Sequence, residues 1–191
     1  AVATPLGPLF GGRSLADLPV DDRLAELTFD LRLQRRAGAE LGVTLSETLD
    51  PADPFRSYAA DLAGHLEPVE LAGWLTGSID AVFRVDGRYV VVDYKTNRLP
   101  SYRPEHLVDA MAHSNYPLQA LLYTVALHRY LRWRLGAAYR PDEHLGGVGY
   151  LFIRGMAGPE TPTSGDETHG VFSWRPSVAA VDALDRLLVP A

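Results

Sequence analysis

Polar and apolar positions alternate over residues 23–33: Leu27, Phe29, Leu31 and Leu33 fall on one side, and Glu26, Thr28, Asp30 and Arg32 on the other. That is the period of a half-buried strand. Strand-like apolar density returns over 69–85 and again in "RYVVVDYK", and the Asp86-Gly87 pair between them is the strongest short hairpin signal available. "PFRSYAADLAGHL" from Pro54 predicts a helix with proline near its first turn. Further helices are expected over 104–113 and 117–135, the second burying Leu118, Leu121, Leu122 and Val125. "GGVGYLFIRG" is too short and too apolar for a good helix and reads as a buried strand; "VFSW" adds a last strand, and 177–188 a last helix. Residues 34–53, with Gly38, Gly42 and Pro51, read as a loop, and 156–170 as a mobile surface loop. There is no internal repeat and no low-complexity tract. This succession predicts an α/β (α+β) fold with a mixed central sheet flanked by helices.

Length changes the picture only by bounding it: 191 residues, 47% of them hydrophobic, suit one compact domain over 1–191. Its motif-bearing core is 23–175, with 1–22 and 156–170 loop-like. An opening alanine in a proline- and glycine-rich stretch suggests a piece of a longer chain. The absence of cysteine excludes disulfides, thiolate zinc sites, cysteine-held iron–sulfur clusters and cysteine nucleophiles. With no basic, apolar leader and no run of about 18 apolar residues, the expectation is a cytoplasmic chain without a membrane partner. A net charge of -6 argues against capture of nucleic acid by a general basic field. Of 18 basic residues only one, Lys95, is a lysine. Its compact ammonium can approach a phosphate or a water more closely than a planar guanidinium.

Counting outward from a two-residue turn pairs Val85 with Arg88, Val82 with Val91, and Asp80 with Asp93. Directly opposed Cβ atoms lie about 4.5–5.5 Å apart, and Lys95 shares the face of Asp93. A bulged turn would shift the register by one and separate the acids. Two carboxylates about 5 Å apart at an effective dielectric of about 20 repel by roughly 3 kcal/mol. One acid could be protonated, Lys95 could bridge both, or a hard divalent cation could sit between them. Two acids, a lysine and a metal suit hydrolysis of a phosphodiester.

"GSIDAVF", "VVVDYKTN", "LQALLYTVALHRYL" and "GGVGYLFIRG", in this order and spacing, resemble the C-terminal nuclease domain of the RecB family of bacterial helicase-nucleases. That family lies within the PD-(D/E)XK superfamily, whose core is restriction-endonuclease-like. The likeness runs over 73–175, with a weaker extension back to "ELTF". It implies that Asp80 and Asp93 ligate Mg2+, with Mn2+ or Ca2+ able to substitute in binding, aided by the backbone carbonyl of Tyr94. It also implies that Lys95 is the catalytic lysine and Glu26 an additional active-site acid. Gln119 and Tyr123, at i and i+4 of one helix, match a Gln-x-x-x-Tyr motif that touches DNA or orients the acids. The implied partners are DNA, RecC-like and RecD-like subunits, and the helicase part of the same polypeptide. A motor that feeds DNA into the domain makes an acidic surface tolerable. The family's metal-ligating histidine lies upstream of everything in this chain, so the six histidines are expected to serve packing or surface roles. The fragment is accordingly expected to bind metal weakly and cut poorly by itself.

The resemblance implies a deoxyribonuclease in double-strand-break repair. A different class of function, a catalytically inactive module that docks a subunit or controls DNA passage, would be free to lose the two acids and the lysine. A small-molecule phosphohydrolase would need a phosphate-cradling loop, and no glycine-rich one is evident.

Overall fold

The structure, a computed structural model, describes residues 1–65 and 70–188, with side chains described outside 32–39, 64–65 and 70–74. The predicted strand start at 69, the helix end at 66 and the facing of Arg32 and Leu33 lie outside them. In chain order the elements are β1 (Arg23–Ala37), α1 (Gly38–Thr48), α2 (Arg56–His65), β2 (Glu70–Val85), β3 (Arg88–Lys95), α3 (Pro104–His113) and α4 (Tyr116–Leu135). There follow α5 (Pro141–His144), β4 (Leu145–Phe152), the two-residue strands β5 (Thr163–Ser164) and β6 (Glu167–Thr168), β7 (Val171–Trp174) and α6 (Val178–Leu188). Five strands share one mixed sheet in the order β1-β2-β3-β4-β7. The β2/β3 pair is antiparallel, β3/β4 parallel and β4/β7 antiparallel.

The chain divides into two compact units, one of Ala1–Leu27, Ile79–Tyr116 and Arg140–Arg175, the other of Thr28–Ser78, Pro117–Tyr139 and Pro176–Ala191. In the first, Asp86 (φ 51°) and Gly87 (φ 82°) are both left-handed, which is the backbone of a type I′ turn. Such a turn admits no bulge, so Val85 pairs with Arg88 and Val82 with Val91 as the residue count requires. The inward side chains Ala81, Phe83, Val85, Val90 and Val92 meet Leu151, Met156 and Val171 in one core. Leu6, Phe10 and Leu18 complete this core, so residues 1–22, expected to be loop-like, supply buried anchors. Part of 156–170, expected to be a mobile surface loop, is anchored by hydrogen bonds. Thr161 is buried and closes a local turn, accepting from Ala157 N–H at 2.8 Å and donating to the Gly158 carbonyl at 2.6 Å. Gly158 N–H in turn donates to buried Thr4 at 2.9 Å.

In the second unit, the loop expected over 34–53 is instead the end of β1 followed by α1. Leu41, Leu45 and Leu49, spaced i and i+4, are all buried, and α1 packs on α2 and α6. Gly42 faces α2 so closely that a Cβ there would lie 2.3 Å from the Ala63 nitrogen. Its role is close approach of two helices, which composition disguises as a helix breaker. The buried face of α4 is also rotated from expectation. Leu121 and Val125 are buried, but Ala120, Thr124, His128 and Leu131 join them rather than Leu118 and Leu122. Thr124 fits this face because its hydroxyl donates to the Ala120 carbonyl at 2.7 Å.

Candidate active site

The site is built where the β2/β3 ladder ends. Its last pair is Ala81 with Val92, and the next positions outward are Asp80 and Asp93. There Tyr94 N–H, with no ladder carbonyl opposite, donates to Asp80 Oδ2 at 2.9 Å. One strand's acid thus takes over the hydrogen bond that its backbone no longer makes to the other, while β3 stays paired with β4 through Lys95. Asp80 is exposed, whereas Asp93 is 4% exposed.

Lys95 Nζ lies 2.6 Å from Asp93 Oδ2, its side chain 12% exposed. Burial pushes the Asp93 carboxyl above the usual carboxylate range; Lys95 pulls it back, and Asp80 adds to the rise. Beyond Lys95, Asp93 Oδ2 has no hydrogen-bond partner among the described residues. A buried oxygen with remaining lone-pair capacity beside a second carboxylate fits a hard divalent cation, which takes oxygen ligands and completes its shell with water or substrate. Among the described residues no group of three or more histidines and acids is placed to hold a metal. The fit therefore rests on two carboxylates.

The ammonium has an aromatic setting that residue spacing did not reveal. Lys95 Nζ stands 3.9 Å from the ring centroid of Tyr116 and 5.1 Å from that of Tyr150. Tyr150 is the β4 partner of Asp93 in the parallel ladder. The signal was the tyrosine of "GYLF", interpretable only once β4 is known to lie beside β3.

Glu26 is exposed in β1 and has a positive φ of 55°. A left-handed conformation in a non-glycine strand residue costs about 1–3 kcal/mol. Glu26, Thr28 and Asp30 are nonetheless exposed while Leu27 and Phe29 are half-buried and Leu31 is buried, the two faces that the alternation predicts. Gln119 and Tyr123 lie in the second unit, where Gln119 Nε2 donates to Tyr123 Oη at 3.1 Å and the Tyr123 ring meets Phe29 edge-on at 5.8 Å. Of the histidines, His128 is buried against Tyr139, its Nδ1 2.9 Å from the phenol oxygen. No helix among the described residues is long and apolar enough to cross a membrane.

The PD-(D/E)XK nuclease superfamily matches residues 13–187. The chain is 48% identical to the RecBCD enzyme subunit RecB of Mycolicibacterium smegmatis, over 97% of this chain and 19% of that protein. It is 47% identical to the RecB subunit of Mycobacterium tuberculosis, over 97% of the chain and 18% of the relative. For the Escherichia coli subunit the identity is 36%, over 92% of the chain and 14% of the relative. The chain therefore spans less than a fifth of the length of these relatives. Its five-stranded sheet, its two ladder-end aspartates and its lysine stand within the stretch that the superfamily match covers, and the chain belongs to the PD-(D/E)XK nuclease superfamily.

Proposed function

We propose that this chain is the nuclease domain of a RecB-type helicase-nuclease, hydrolysing DNA phosphodiester bonds in double-strand-break repair in the cytoplasm. The observation that carries this reading is the ladder-end cluster: Asp80 fixed by Tyr94 N–H, and Asp93 paired with Lys95, in a chain of a nuclease superfamily. The family match spans residues of both units, which supports one nuclease domain.

Asp80 and Asp93, with the Tyr94 carbonyl, would hold Mg2+, and Mn2+ or Ca2+ in its place. The ion supplies Lewis acidity at the scissile phosphate. Lys95 places its ammonium beside Asp93 in a poorly hydrated site, where a fixed positive charge stabilises the charge developing on the phosphoryl oxygens. Tyr94 N–H keeps Asp80 in a single orientation. Glu26 is the further acid of the site, and Gln119 and Tyr123 contact DNA or orient the acids. Partners are DNA, RecC-like and RecD-like subunits, and the helicase portion of the same polypeptide. Retention of both acids and the lysine weighs against an inert docking module. The isolated chain, with two carboxylates, is expected to bind the ion weakly.

In the intact helicase-nuclease, Asp93→Ala and Lys95→Ala are each expected to abolish DNA degradation and to leave unwinding at its unsubstituted rate. Degradation at the unsubstituted rate in either variant would contradict the assignment.

A further inference from the structure

We propose that Tyr116 is a positioning residue for Lys95, holding the ammonium by the face of its ring; the proposal rests on the nuclease reading above. The chain builds this contact deliberately from local parts. The segment α3 ends at His113, and Asn115 then adopts a left-handed conformation (φ 55°), which asparagine tolerates better than most residues. This turn makes Tyr116 the first residue of α4. Its backbone carbonyl accepts from Tyr150 Oη at 3.4 Å, and its hydroxyl donates to Asn97 Oδ1 at 3.2 Å. Asn97 lies two residues past Lys95, in a segment itself anchored: Tyr102 Oη donates to the Asn97 carbonyl at 2.9 Å, and Arg154 Nε to the Thr96 carbonyl at 2.8 Å. Tyr116 is thus held at its backbone and at its hydroxyl, and Nζ sits 3.9 Å from the ring centroid.

The chemistry explains why a ring serves here. Lysine's four-carbon stem is flexible, so the position of Nζ depends on the groups that surround it. A further carboxylate would fix it but would neutralise the charge that a phosphoryl group needs. An aromatic face attracts the cation through its quadrupole, adds no net charge and presents no lone pair to compete for an N–H. Tyr116 therefore locates the ammonium without diminishing it. Because the contact acts on the transition state through Lys95, its loss should lower kcat and leave KM for DNA unchanged.

The test replaces residue 116, in the intact helicase-nuclease, by phenylalanine and then by mono-, di- and trifluorophenylalanine. Fluorination withdraws the quadrupole with little change in ring size. Tyr116→Phe should lower kcat about twofold through the lost Asn97 bond. Successive fluorines should lower it stepwise, by roughly tenfold in total, at constant KM and constant melting temperature. A flat series, or a fall in stability that tracks the fall in rate, would overturn the proposal. Lys95→Ala, measured alongside, separates the two levels of inference. If it is inactive while the fluorine series is flat, only the role of Tyr116 falls; if it degrades DNA normally, the assignment of Lys95 falls as well.

Discussion

Burying a charge costs several kcal/mol unless a partner offsets it, and Asp93 and His128 meet that demand differently. Asp93 has Lys95 at 2.6 Å. His128 lies 3.9 Å from both Asp182 and Asp185, yet burial dominates and pushes its imidazole below the ordinary value of 6.5, with Asp185 pulling the other way. A histidine whose folded-state value is depressed favours folding fully above about pH 6.5, and that stability is lost as pH falls through the folded-state value. The urea midpoint should therefore fall between about pH 7 and 5, and His128→Gln should flatten that slope; an unaltered slope would place the titration elsewhere. Lys95 was legible in the sequence because it is the only lysine and stands two residues beyond an acid. Its aromatic neighbours were not, because Tyr150 reaches it through a parallel pairing with β4, and no local count predicts which strand will be the neighbour.

At the scale of elements, the β2/β3 hairpin was readable to the residue because a two-residue turn fixes register, and the strand period of 2 then assigns every face. The helix α1 was not readable, since Gly42 imitates a loop signal while serving contact with Ala63. Gly42→Ala should force α1 and α2 apart and cost about 1–3 kcal/mol by denaturant unfolding; a substitution without cost would mean that the helices do not pack this closely. The left-handed backbone at Glu26 was hidden for another reason. Side-chain alternation looks continuous in sequence and is kept in the fold, although φ is positive at one residue.

For the molecule as a whole, composition misled at the N-terminus. A glycine- and proline-rich start conceals Leu6, Phe10 and Leu18, which are core residues of the sheet. Apolar residues separated by turns carry no period from which burial could be inferred. Charge was more instructive. A domain of net charge -6 has no general field for DNA, which agrees with delivery by a motor in the proposed helicase-nuclease, and it concentrates the chemical demand on one ladder end. Whether that end holds a divalent ion is directly measurable by anomalous scattering from crystals of the protein soaked in Mn2+ at a concentration raised until a weak site fills. The account predicts a peak between the carboxylates of Asp80 and Asp93, beside Lys95 Nζ, that disappears in Asp93→Asn. A map without a peak there, or one whose peak persists in that variant, would contradict it.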